Sequence, residues 1–176
     1  YFGGVVDSVI MRTLDIFMSV PDILFTMAVV VALGSNFTNL LIALTLAYFT
    51  NYVRLVRSQV LNLSELEYVE AARAGGSGNV RIILSHIIPN AVGVIIVNVT
   101  LNIAKIIIYE STLSFLGLGM PPPQPEWGLM LSEAREFMRK APFLLFYPAL
   151  AIVLCACSVN LVGDGLRDAL DPHLKS

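Results

Sequence analysis

Charge is scarce in this chain. Asp, Glu, Lys and Arg make up 14% of its 176 residues and apolar types 56%, against about 25% charged and about 45–50% apolar in a soluble domain. That balance, with a mean hydropathy of +0.76, excludes an ordinary soluble domain and points to an integral membrane protein. The net charge of −2 offers no basic surface for nucleic acid. Cysteine is nearly absent too. Cys155 and Cys157 stand one residue apart in an apolar run, so they staple no distant segments and form no zinc set. There are two histidines, His86 and His173, the second in a polar tail. A Gly-x-x-x-x-Gly-Lys-Ser/Thr loop is missing; Gly75-Gly76-Ser77-Gly78 lacks the lysine, so this route to ATP binding is closed. The first residue is Tyr rather than Met and no signal peptide precedes it, which suggests a piece of a longer chain.

What is present in quantity is hydrophobic runs. About 20 apolar residues in a helix cross a bilayer core of about 30 Å. Four runs qualify: residues 16–34, 36–53, 90–109 and 141–163. They leave an inner loop over 54–89 and a Pro- and Gly-rich outer loop over 110–140. Four spans put both ends on one side. That side holds Arg12, Arg54, Arg57, Arg73, Arg81, Arg167 and Lys175; the other holds Arg135, Arg139 and Lys140. The excess of basic residues assigns the 54–89 loop to the cytoplasm. The expected architecture is all-α, one polytopic helical domain over 1–176.

Within that loop lies a charged helix, Ser64 to Gly76, which cannot itself span a membrane. It must sit at the water interface, where it can dock onto something soluble. Ser64-x-x-Glu67 reads as a capping box, and Glu65 and Glu67 suit the positive end of the helix dipole. Tyr68, Ala72 and Gly76 recur at helical spacing with Ala71 and Gly75 beside them. They form a face of tiny side chains headed by an aromatic. Glu70 and Arg73 are spaced to pair across one turn. Gly75-Gly76 should end the helix, and a second short helix from Ser77 or Asn79 should run into Pro89.

The spacing Glu70-Ala71-Ala72, three residues, Gly76, then Pro89 resembles the cytoplasmic loop of ABC-importer permeases: Glu-Ala-Ala-x-x-x-Gly, nine residues, Ile-x-Leu-Pro. His86 stands at the Ile position and Ile88 at the Leu position. The resemblance is to the dipeptide/oligopeptide permease group, which includes nickel permeases, and it covers nearly the whole chain. It is carried by Tyr1-Phe2-Gly3-Gly4 with Asp7, Met11-Arg12-Thr13-Leu14-Asp15, Ser114-Phe115-Leu116-Gly117-Leu118-Gly119 and Glu126-Trp127-Gly128. Toward the end it is carried by Asn160-Leu161-Val162-Gly163-Asp164-Gly165-Leu166-Arg167-Asp168 and Leu170-Asp171-Pro172. It implies a type I ABC importer permease fold with about four of six spans present, in a bacterial or archaeal plasma (inner) membrane. It also implies a second permease subunit, two cytoplasmic ABC ATPases and an extracytoplasmic substrate-binding protein. ATP and Mg would be bound by the ATPase partners, and no cofactor by this chain. Tyr68, Glu70, Ala71, Ala72, Gly75, Gly76 and Pro89 would form the ATPase-coupling segment.

Polar residues inside the spans are costly and usually face a bundle interior or a wet cavity. Asn98, Asn102 and Lys105 form one such stripe, and Thr45, Tyr48 and Tyr52 another. They are the substrate-path candidates, with helix–helix hydrogen bonding as the bland alternative. Lys105, placed near the outer end of its span, could also snorkel to water. Asp164 and Asp168 lie at i, i+4 beside Arg167, which reads as a helix-end feature rather than a metal or acid–base pair. Gly128 to Lys140, with Met130, Leu131, Ala134, Phe137 and Met138 apolar, reads as an amphipathic helix on the outer surface. An intramembrane protease would need a serine and a histidine at membrane depth; Ser77 and His86 share one aqueous loop. A stand-alone channel would not need a coupling loop. The resemblance implies a non-enzymatic importer subunit for di- or oligopeptides, with nickel or another small solute as the alternative cargo.

Overall fold

The computed structural model describes residues 1–170, all of whose regular elements are helical. Asp171, Pro172, His173 and Lys175 lie outside the described residues. Three helices are long and apolar enough to cross a membrane: Phe37–Ser64, Asn79–Phe115 and Phe143–Leu170. We label the first α3 and the last α8.

The expected first span, 16–34, is not one helix. The chain forms α1 (Gly4–Met18) and α2 (Asp22–Leu33), bent by 81° at the intervening residues. Pro21 is the cause: it sits immediately before α2, where its missing N–H and its restriction of Val20 prevent the helix from running through. Twelve residues of α2 rise only about 18 Å, short of a bilayer core. The turn from α2 to α3 is fixed by two asparagines. Asn36 accepts a hydrogen bond from the Asn39 N–H at 2.9 Å. Asn39 Nδ2 donates to the Leu33 and Gly34 carbonyls that end α2, at 2.6 and 2.9 Å. α2 then packs on α3 through Val30, Leu40, Ala43 and Leu44, closed by Leu113 from the long helix Asn79–Phe115.

Two ion pairs hold α1 across α3. Arg57 grips Asp7 with two nitrogens, both at 2.6 Å, and Arg54 bonds Asp15. Asp7 and Asp15 lie two turns apart on α1, whereas Arg54 and Arg57 lie less than one turn apart on α3. The pairs therefore set α1 at an angle to α3 rather than alongside it.

The inner loop is much shorter than 54–89. α3 continues to Ser64, and Ser64 Oγ donates to the Leu61 carbonyl at 2.8 Å at that helix end. The expected capping box is therefore absent. The loop helix, α4 (Glu67–Ala74), begins at Leu66 with no side-chain cap. The long helix Asn79–Phe115 also starts earlier than the expected residue 90. α5 (Asn79–Ile82), a π-helical turn over Ile83–Ile87 and α6 (Ile88–Phe115) are continuous. Pro89 removes one helical N–H and crowds the carbonyl four residues back. The wider π turn just before it absorbs that conflict without breaking the rod. Asn90 Nδ2 donates to the His86 carbonyl at 2.6 Å. The full rod of 37 residues is about 55 Å long, so it extends well past a bilayer core.

α7 (Trp127–Ala134) is shorter than the expected surface helix and is not simply laid on the outside. Gly128 and Ala134 are buried and Leu131 is half-buried against α6 and α8, while Met130, Phe137 and Met138 remain exposed. The face that packs is thus the small-residue one. A Cβ on Gly128 would stand 2.5 Å from the Ser111 carbonyl oxygen, so only glycine permits this approach of α7 to α6.

Candidate functional site

Two features stand out: the loop helix at one end of α3 and α6, and a polar cavity along their middle. α4 is seated by Val69, which is fully buried with Ile82 and Ile87 and packed by Val60, Leu63 and Ala72. Its far end is closed by a Schellman motif. The Ser77 N–H bonds the Ala72 carbonyl and the Gly76 N–H the Arg73 carbonyl, both at 3.0 Å. That closure puts Gly76 at φ 78, the left-handed region where a Cβ is penalised.

This seating divides the expected docking face. Tyr68, Glu70, Ala71, Gly75 and Gly76 are exposed, but Ala72 turns inward onto the Val69 cluster. Pro89 is exposed further along the rod. The expected Glu70–Arg73 pair does not form; the Arg73 guanidinium lies over the Tyr1 ring, 5.9 Å from its centroid. Tyr1 OH in turn donates to Asn79 Oδ1 at 3.0 Å. Tyr68 leans toward His86, with ring centroids 6.0 Å apart.

The cavity, about 620 Å³, is lined by Asp22, Tyr48, Asn51, Tyr52, Arg54, Leu55, Ser58, Asn98, Asn102 and Lys105. Five of the six path candidates meet there, from two different helices. Thr45 does not; it lines an adjacent apolar hollow of about 290 Å³ with Leu41, Leu44 and Ile106. Lys105 is on the body of α6, which continues ten residues further to Phe115, so it is not at the outer end of its helix. Asp22, Asn51, Arg54 and Ser58 were missed from sequence. Asn51 and Ser58 continue the polar stripe of Tyr48 and Tyr52 at helical spacing. Arg54 looked like a loop charge, and Asp22 like a helix-start residue.

A third polar cluster lies where the outer loop returns. The Met120 N–H donates to Glu126 Oε2 at 3.1 Å. Glu126 Oε1 and Ser114 Oγ are buried with no hydrogen-bond partner among the described residues. Burial pushes the Glu126 carboxyl above the ordinary 4.5, with the Met120 N–H pulling the other way. Asp164 and Asp168 are exposed, and the described residues contain no group of three His, Cys, Asp or Glu that could hold a metal ion.

The whole chain, residues 1–176, matches the model of a family described as binding-protein-dependent transport system inner membrane component. It is similar to a dipeptide transport system permease protein of Alkalihalophilus pseudofirmus, 45% identical over 176 residues, 100% of this chain and 58% of the relative. It is similar to a glutathione transport system permease protein of Pectobacterium atrosepticum, 46% identical with the same coverage. A putative peptide transport system permease protein of Brucella suis is 43% identical over 169 residues, 96% of this chain and 57% of the relative. The chain thus spans less than two thirds of the length of these relatives.

Proposed function

The chain belongs to the family of binding-protein-dependent transport system inner membrane components, and on that footing we propose that it is the membrane-spanning part of an ATP-driven importer of small peptides. The observation that carries this is the seating of α4. A short, exposed helix is locked by a buried valine and a glycine-closed end onto α3 and onto the start of the continuous helix from Asn79 to Phe115. Those helices also line the polar cavity. A docking partner acting on α4 would therefore act on the walls of the path.

The partner that fits is a cytoplasmic ATPase, one of two, with Tyr68, Glu70, Ala71, Gly75 and Gly76 as the contact surface. ATP and Mg are bound by that partner. A second permease subunit would complete the path, and an extracytoplasmic binding protein would deliver the cargo. The peptide-permease names of the relatives support the choice of cargo over a bare metal ion.

The test is uptake by the full importer in proteoliposomes, with labelled di- and oligopeptides in one arm and Ni²⁺ in the other. Peptide uptake that needs ATP is expected. Gly76→Val should abolish it by forcing a branched side chain into left-handed backbone, while membrane insertion stays intact. Unchanged uptake in that variant would sink the coupling role, and Ni²⁺ uptake without peptide uptake would sink the cargo.

A further inference from the structure

The polar cavity holds three formal charges: Asp22 on α2, Arg54 on α3 and Lys105 on α6. Arg54 is committed to Asp15. Among the described residues the only other ion pair is Arg57 with Asp7, so Asp22 and Lys105 are left facing the same space without ionic partners. Opposite charges held unpaired among apolar helices are costly, and such residues mark a site by default. Here each side chain comes from a different helix, and the phenols of Tyr48 and Tyr52 and the amides of Asn51, Asn98 and Asn102 line the space with them.

We infer that Asp22 and Lys105 form a charge-matched station for a zwitterionic peptide, Asp22 taking the terminal ammonium and Lys105 the terminal carboxylate. The sign pattern selects this ligand. A bare cation would meet Asp22 but be repelled by Lys105. A simple anion would meet the reverse. A molecule with one charge of each sign at its ends satisfies both, and its peptide groups find the amides and phenols in the wall. The volume of about 620 Å³ is in the range of about 300–1,000 Å³ usual for small-molecule sites. The assignment rests on the peptide-import reading above and adds which groups read the cargo inside the membrane.

The test uses the complete importer in proteoliposomes and labelled alanyl-alanine. Asp22→Asn keeps the shape and helix-start character of the residue but removes its charge; Lys105→Gln does the same on α6. Each should lower the maximal uptake rate about tenfold, the size of one lost charge-assisted hydrogen bond. The half-saturating concentration, set by the delivering protein, and the peptide-free ATPase rate should stay within about twofold of the parent. Asp22→Glu and Lys105→Arg should recover most of the rate. Parent-level uptake in both neutral variants would overturn the station while leaving peptide import standing. So would a loss shared by the ATPase rate and not recovered by the conservative variants, which would make the charges structural. A parent complex that carries no dipeptide would instead overturn the import reading, and the station with it.

Discussion

Replacing Gly128 by alanine should destabilise the protein, and the effect can be graded against two other glycines. A Cβ at Gly128 would stand 2.5 Å from the Ser111 carbonyl oxygen, 2.6 Å from Ser114 Cβ and 2.9 Å from Ser111 Cα. Two of those three atoms are backbone, so the clash is relieved only by moving α7 off α6. Overpacking of this kind costs about 1–3 kcal/mol. At Gly163 the nearest atom is Leu101 Cδ2 at 2.8 Å, the tip of a side chain that can rotate away. At Gly165 nothing lies within 4 Å, so alanine there should gain about 0.5–1 kcal/mol from reduced backbone entropy. The expected order of stability is Gly165→Ala, then Gly163→Ala, then Gly128→Ala. A kcal/mol corresponds to about 2–4 °C of melting temperature in a chain of this size, so thermal unfolding in detergent resolves the series. If Gly128→Ala melts at or above Gly165→Ala, the close approach of α7 to α6 is not what glycine serves there.

Val69→Ala should loosen α4, because a fully buried valine loses two methyl groups at about 0.8 kcal/mol each plus a cavity term; faster amide exchange across 67–74 with unchanged exchange in α8 is the expected signature. Glu126 should make stability fall with rising pH. Its folded value is raised by burial, so its favourable, protonated contribution is complete below the ordinary 4.5 and is lost as pH climbs through the raised value. Glu126→Gln should flatten that slope in a melting-temperature series against pH, and a slope equal to the parent's would remove Glu126 as its source.

The long apolar runs after Asn36 were legible because composition and length alone decide them. Their ends were not, since helix termini depend on caps that compete locally. Ser64 offered the right residue for an N-cap, but its hydroxyl bonds backward to Leu61 and ends α3 instead. Pro89 looked like a boundary, yet a π turn carried the helix through it; a proline breaks a helix only when the preceding turn cannot widen. The Gly75-Gly76 stop was legible because a left-handed residue closing a helix is nearly a glycine signature. In the cavity, Tyr48, Tyr52, Asn98, Asn102 and Lys105 were readable as stripes. Arg54 was not, because whether it belongs to a loop, an ion pair or a path depends on where α1 folds back. That fold rests on the 81° bend at Pro21. Asp7 and Asp15 on one helix and Arg54 and Arg57 on another carried the signal, in opposite charges at helical spacing.

The loop helix and the cavity share their supporting elements. On α3, Val60 and Leu63 pack the seat of α4, while Asn51, Arg54 and Ser58 line the cavity. On the rod from Asn79 to Phe115, Ile82 and Ile87 form the seat, and Asn98, Asn102 and Lys105 the wall. Ile87 and Asn98 are separated by about 16 Å of unbroken helix, a distance over which a helix bends little. A load on α4 would therefore reach both walls through stiff members. The α6 route begins with one soft place, the π turn before Pro89, whose i→i+5 pairing permits a change of local twist without loss of the helix. The third wall, Asp22 at the head of α2, behaves differently. It rides on α2, which packs directly on α3 through Val30, Leu40, Ala43 and Leu44, and on its other side α1 is tied to α3 by the Arg54 and Arg57 pairs. Movement of α3 thus carries Asp22 with it, whereas Lys105 moves with α6. The distance between the two unpaired charges is the geometric quantity that relative motion of α3 and α6 would change. A station that holds a peptide by both ends would release it when that distance no longer matches.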